Sequence, residues 1–81
     1  MKYFIFNNQF LKHYFAVDPE TMNTLELVFN GKEAQAIKFV EGKPYCGYGQ
    51  WKPSTKSEFN RAYVDASTQM QAHLHRTLKT K

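Results

Sequence analysis

The stretch GYGQWKPSTKSEFNRAYVDA, residues 47–66, decides how this chain folds. Glycines and aromatics lead into a proline, and a polar segment then opens an amphipathic run. Pro53 disfavours a helical Lys52, because its ring crowds the residue before it. Ser54 or Thr55 can cap a helix by accepting a hydrogen bond from a first-turn amide. Thr55-Lys56-Ser57-Glu58 has capping-box spacing, in which Glu58 reaches back to the cap amide. From about Lys56 to the region of Leu78, the residues Phe59, Ala62, Tyr63, Ala66, Met70, Leu74 and Leu78 recur three or four apart. That spacing predicts one apolar helical stripe, with Val64 off it. Arg76, Lys79 and Lys81 sit where a helix C-terminus favours positive charge. Gly47 and Gly49 weaken a strand and suggest a bulge or a close backbone approach. The stretch therefore reads first as a joint between sheet and helix.

Everything upstream reads as sheet. Residues 2–6, KYFIF, are apolar on both faces, which suits a strand covered on two sides. Asn7-Asn8 can take positive φ and turn the chain. Residues 9–17, QFLKHYFAV, carry both helical spacing (Phe10, Leu11, Tyr14, Phe15) and alternation (Leu11, Phe15, Val17); their β-branched and aromatic content favours strand. Asp18-Pro19-Glu20 is a turn or a helix start. In TLELVF, Leu25, Leu27 and Phe29 alternate with Thr24, Glu26 and Val28, and Asn30-Gly31 follows as a hairpin signal. A helix from Pro19 to Phe29 capped by Gly31 competes, but the alternation and the Asn-Gly pair favour the hairpin. Residues 36–48, AIKFV-EGK-PYCGY, look like a second hairpin, with Pro44 at a strand start or edge. The expectation is a single α+β domain over residues 1–81. A small, mostly antiparallel sheet of four to five strands occupies 1–53. One long helix over 54–81 packs on one face, burying aromatics against Phe59, Tyr63, Ala66, Met70 and Leu74.

With 81 residues the core is small. Seven Phe, five Tyr and one Trp compensate, and they exceed what one small core absorbs, which leaves some for a surface or a self-association interface. Cys46 is the only cysteine, so no disulfide framework is available and a reducing compartment is expected. No stretch approaches a membrane span. The start, MKYFIFNNQF, lacks the apolar region and cleavage site of a signal peptide, and the expected location is the cytoplasm. Net charge is +4, all of it in residues 41–81, an asymmetry that suits an anionic partner or simply solubility.

Little chemistry survives inspection. Three histidines and one cysteine are too few for a structural zinc site, and His73 and His75 point to different sides of a helix. His13 reads as a partly buried ring with a satisfied nitrogen. Cys46 has no basic motif beside it and reads as a small buried hydrophobe. No Ser lies in a nucleophile elbow, and no acid pair stands in an acid/base setting. The Gly-Lys pairs at 31–32 and 42–43 lack the frame of a phosphate loop. Neither enzyme activity nor a metal or cofactor is expected. Gly47, Tyr48, Gly49, Gln50 and Trp51 should form an exposed aromatic edge beside a positive helix start. Tyr48, Gln50, Trp51, Lys52, Lys56 and Arg61 are the candidate partner-binding residues. A nucleic-acid reading would use Lys52, Lys56, Arg76, Lys79 and Lys81, with aromatics such as Tyr45, Tyr48 and Trp51 stacking bases, although no RNP-like, KH or zinc-finger signature is present.

Residues Gly47 to Ala66 resemble a pattern met in small phage and prophage proteins, where a strand ends in Trp and a Ser/Thr-x-x-Glu-Phe helix start follows. Size, lone cysteine and lack of catalytic apparatus are similar in style to phage anti-defence proteins such as anti-CRISPRs. The resemblance implies a protein that binds a bacterial enzyme or nucleoprotein complex in the host cytoplasm and blocks it. It assigns no role to any residue. A homodimer is compatible with the surplus aromatics and with an uncovered sheet edge.

Overall fold

The computed structural model describes residues 1–8, 10–42 and 51–79. It is an α+β fold: a five-stranded antiparallel sheet and one C-terminal helix. The strands are β1 (Lys2–Asn7), β2 (Lys12–Val17), β3 (Thr24–Asn30), β4 (Glu33–Val40) and β5 (Lys52–Pro53), and the helix is α1 (Lys56–Lys79). Their order across the sheet is β4-β3-β2-β1-β5. No helix among the described residues is long and apolar enough to cross a membrane.

The two ambiguous segments resolve as strands. Residues 12–17 and 24–30 pair in register, with Tyr14 opposite Leu27 and Ala16 opposite Leu25. The hairpin after Phe29 forms, but its two loop residues are Gly31 and Lys32, since Asn30 already pairs with Glu33. Gly31 takes φ 61° at the first loop position, the requirement of a type II′ turn rather than of the type I′ turn that Asn-Gly usually marks. The β1–β2 connection differs from expectation too. Neither Asn7 nor Asn8 adopts positive φ; instead Asn8 Oδ1 accepts from the amides of Phe10 (3.2 Å) and Leu11 (2.9 Å). Its side chain thus mimics a backbone turn. Asp18-Pro19-Glu20 is a turn, closed by Met22 N–H donating to Asp18 O at 2.8 Å. Met22 pays for that closure with a left-handed φ of 65°. The Glu20 amide donating to the Asp18 carboxylate holds that group below its ordinary value. Its contribution is present above the unfolded carboxylate range and is lost as pH falls through the lowered value. The return strand expected after Val40 lies outside the described residues.

α1 begins where the sequence places it. Thr55 Oγ1 accepts from Glu58 N–H at 3.1 Å, so Thr55 is the cap. The Glu58 carboxylate accepts from the Ser54 hydroxyl at 3.1 Å rather than from the cap amide. Ser54 N–H donates to Tyr3 O at 2.8 Å, which ties the helix start to β1. At the other end of the crossing, the Gln69 side chain accepts from Ala34 N–H (2.7 Å) and donates to Lys32 O (2.9 Å). The helix therefore runs diagonally, from β1 to the start of β4.

That diagonal sets what is buried. Ala16, Leu27 and Phe29 pack with Phe59, Ala62 and Ala66, and Tyr3, Tyr14, Leu25 and Ala34 close the margin. Tyr63 and Leu74, expected to bury sheet aromatics, are instead 41% and 59% exposed. A helix crossing at an angle leaves its lower flank and its far end off the sheet. The opposite face of the sheet carries a second core: Phe15, Val17 and Trp51, with Phe4, Phe6 and Met22 against them. Trp51 lies flat on Phe15, centroids 3.8 Å apart and planes 10° from parallel. We expect Trp51→Ala to destabilise the fold by about 3–5 kcal/mol, and Thr55→Ala by about 1 kcal/mol. Urea unfolding followed by circular dichroism measures both; a silent Trp51→Ala would contradict its core placement.

Candidate functional site

The expected aromatic edge is not where the structure puts its open chemistry. Trp51 is 6% exposed and belongs to the second core, which corrects its assignment to an exposed contact surface. The cause is the apolar far face of β1 and β2, which no helix among the described residues covers. Tyr48 and Gln50 lie outside the described residues, as do Tyr45, Cys46 and Lys81. Lys52, Lys56 and Arg61 are exposed. They do not form one cluster. Lys56 and Arg61 are five positions apart, roughly 140° around the helix, so they flank it on different sides. Arg76 and Lys79 lie in the last turns of α1, far from its start.

Arg61 instead joins residues that sequence reasoning passed over. A groove of about 550 Å³ opens between α1 and the top of β2 and β3. Arg61, Ala62, Glu58 and Asp65 line it from the helix; Lys12, Tyr14, Phe29 and Gly31 line it from the sheet. Helical spacing explains one wall, since 58, 61, 62 and 65 are three or four apart. Strand pairing explains the other, since Lys12 and Phe29 are opposite each other. Tyr14 and Phe29 meet edge to face at 5.6 Å, and Lys12 Nζ stands 5.0 Å over the Tyr14 ring. Lys52 is opposite Ile5 and therefore on this same face of the sheet, at its β5 margin.

The charges in the groove are unequal in what they already hold. Glu58 is engaged by Ser54, and Asp65 accepts from Gln69 Nε2 at 3.1 Å. Among the described residues the one carboxylate within 4 Å of a basic side chain is Glu26, beside His13 on the other face of the sheet, so neither Lys12 nor Arg61 is matched by a carboxylate there. Lys12 stands over the Tyr14 ring and Arg61 lines the same groove, with the carboxylates of Glu58 and Asp65, still charged, beside them. A guanidinium and an ammonium offer complementary donors for a carboxylate or a phosphate.

The other polar cluster is buried. His13 Nδ1 lies 2.6 Å from Glu26 Oε2, with the two side chains 15% and 4% exposed. Because Asn8 Oδ1 is taken by two backbone amides, its Nδ2 is the atom turned toward His13 Nε2, at 3.5 Å. Nε2 then accepts, Nδ1 carries the proton, and Nδ1–H donates to Glu26. Phe15 stacks on the His13 ring, 6.0 Å between centroids. The reading of His13 as a partly buried ring with a satisfied nitrogen agrees with this arrangement. Glu26 was the missed partner: in a strand that alternates, it reads as a solvent-side residue. No group of three His, Cys, Asp or Glu that could hold a metal ion occurs among the described residues. We expect long-range proton–nitrogen NMR at neutral pH to show His13 as the Nδ1–H tautomer. An Nε2–H tautomer would mean that the Asn8 amide is turned the other way and the loop hydrogen bonds are wrong.

Compared with known proteins, the chain matches no family model, no curated protein and no solved structure.

Proposed function

We propose that this chain is a non-enzymatic interaction protein, a phage-type inhibitor or regulator that occupies a surface of a bacterial protein or nucleoprotein complex, in the manner of anti-CRISPR-like anti-defence proteins. The groove between α1 and β2–β3 is its contact site. The observation that carries this reading is the pair Lys12 and Arg61, two cations with no carboxylate partner among the described residues, lining one groove with Tyr14 and Phe29. An acidic side chain from the partner enters the groove and takes both charges, while the aromatic floor packs its aliphatic stem. Arg and aromatic residues are the types that carry binding energy at protein interfaces.

Glu58 and Asp65 on the same wall favour a protein partner over nucleic acid. A single carboxylate can be steered between them, whereas a run of phosphates would meet both acids. The nucleic-acid alternative relies on Lys52, Lys56, Arg76, Lys79 and Lys81; of these, Lys52 lies in β5, Lys56 opens α1, and Arg76 and Lys79 lie in its last turns, far from that start.

Immobilised protein, challenged with bacterial lysate and then with the purified captured partner, tests this. Lys12→Glu and Arg61→Glu should each weaken capture by about ten- to a hundredfold, the size of a lost charge-assisted contact. Lys79→Glu should leave it unchanged. Capture that survives both groove reversals would remove the groove from the interface. Affinity for a mixed-sequence duplex that falls steeply with salt and is lost with Lys79→Glu would replace the reading with nucleic-acid binding.

A further inference from the structure

Asn30 closes the β3–β4 hairpin, and Gly31 is the first of its two loop residues. Both are exposed. Gly31 takes φ 61°, and no atom of the described residues lies within 4 Å of where a Cβ would stand. Its nitrogen is a loop amide, outside the ladder that ends with the Asn30–Glu33 pair. The amide carbon of the Asn30 side chain is one ring closure away from that nitrogen. Glycine, with no side chain of its own, hinders the closure least.

The other asparagines are held against the same reaction. The amide that follows Asn7 belongs to Asn8 and donates to Leu11 O at 3.0 Å. Asn8 Oδ1 accepts from the amides of Phe10 and Leu11. Asn23 Oδ1 accepts from Gly42 N–H at 2.8 Å. Asn60 lies inside α1, where the next amide is committed to the helical ladder. In all four cases the following residue also carries a side chain. At Asn30 only the last rung of a hairpin has to open, and element ends open most readily.

We infer that Asn30 is a site of spontaneous deamidation, a modification that ages the hairpin. Water and hydroxide are the only reagents. Hydroxide takes the Gly31 amide proton, and the nitrogen attacks Asn30 Cγ. The new N–Cγ bond closes a cyclic imide. The Cγ–Nδ2 bond breaks, and Nδ2 takes a proton from water and leaves as ammonia. Water then opens the imide at either carbonyl. Opening at Cγ restores the ordinary chain, with an aspartate side chain. Opening at the main-chain carbonyl leaves the chain running through Cβ and Cγ, as isoaspartate.

Isoaspartate adds a carbon to the main chain just ahead of Gly31, in the hairpin that α1 grips. Gln69 accepts from Ala34 N–H at 2.7 Å and donates to Lys32 O at 2.9 Å. The longer backbone breaks the Asn30–Glu33 register and shifts Lys32 against Gln69. Gly31 also lines the Lys12–Arg61 groove, so ageing at residue 30 weakens the contact made there. That last consequence alone rests on the function proposed above.

The full chain, aged in mildly alkaline buffer, digested and read by electron-transfer mass spectrometry, tests this. The mass change from amide to acid should appear at residue 30, as a mixture of aspartate and isoaspartate, while the other four asparagines stay intact. Its rate should lie within about tenfold of that in the guanidinium-unfolded chain, the factor that a terminal hydrogen bond contributes. Amide exchange at Ala34 should quicken in the isoaspartate fraction and stay slow in an equally aged Asn30→Ser chain. Asn30 that is still intact when the unfolded chain has converted overturns the inference. Earlier conversion at another asparagine, or aspartate without isoaspartate, overturns it too. Equal Ala34 exchange in both aged chains overturns the effect on the hairpin. Partner capture is a separate readout. Capture that is insensitive to Arg61→Glu removes the groove reading and leaves conversion at Asn30 standing; capture that depends on Arg61 but is unchanged by ageing overturns the link between the two.

Discussion

Apolar side chains on both faces of β2 are the constraint on which the rest depends. Tyr14 and Ala16 point to one side of the sheet, Phe15 and Val17 to the other, and a single helix can cover only one of them. An uncovered far face would leave Phe4, Phe15 and Val17 in water, at a cost of roughly 1.5–3 kcal/mol for each large side chain. The chain answers with Trp51, laid flat on Phe15 just before the last short strand. The same placement fixes where α1 begins. Trp51 on one face, Lys52 and Pro53 along β1 and Ser54 bonded to Tyr3 bring the chain around the edge of the sheet and onto the other side.

Local rules made much of the fold readable. The Thr55 cap, the hairpin between β3 and β4 and the strand nature of KYFIF all rest on interactions between near neighbours, and the structure has each of them. Where the details differ, a second neighbour competes. Glu58 finds the Ser54 hydroxyl before the cap amide, and the hairpin closes one residue later because Asn30 is already in the ladder. The fate of Tyr63, Leu74 and Trp51 was not legible, because it depends on the crossing angle of the helix and on which face of the sheet it covers. Periodicity says which residues share a stripe; it does not say how much of the stripe meets a partner.

The polar groups show the same division. His13 was recognisable as a ring with a satisfied nitrogen, but its partner sits across a strand pair, displaced by two residues. His13 pairs with Val28, and it reaches Glu26 along the same face. The groove cations were only half visible. Arg61 stands near a helix start and draws notice, whereas Lys12 looks like an ordinary strand-end charge until β2 and β3 carry it under the helix. Helical spacing marks one wall of the groove, but only long-range pairing brings Lys12, Tyr14 and Phe29 against it.

The two margins of the sheet are unlike. β4 is eight residues long, while β5 has two residues, one of them a proline with no amide to donate. A sheet with two receptive margins can add copies without end, the geometry of a fibre. The margin at β5 is too short and too poor in donors to extend the sheet, whatever lies along the other one. An aromatic-rich chain this small would otherwise be exposed to runaway stacking, and the blunt margin at Pro53 removes one of the two edges such growth needs.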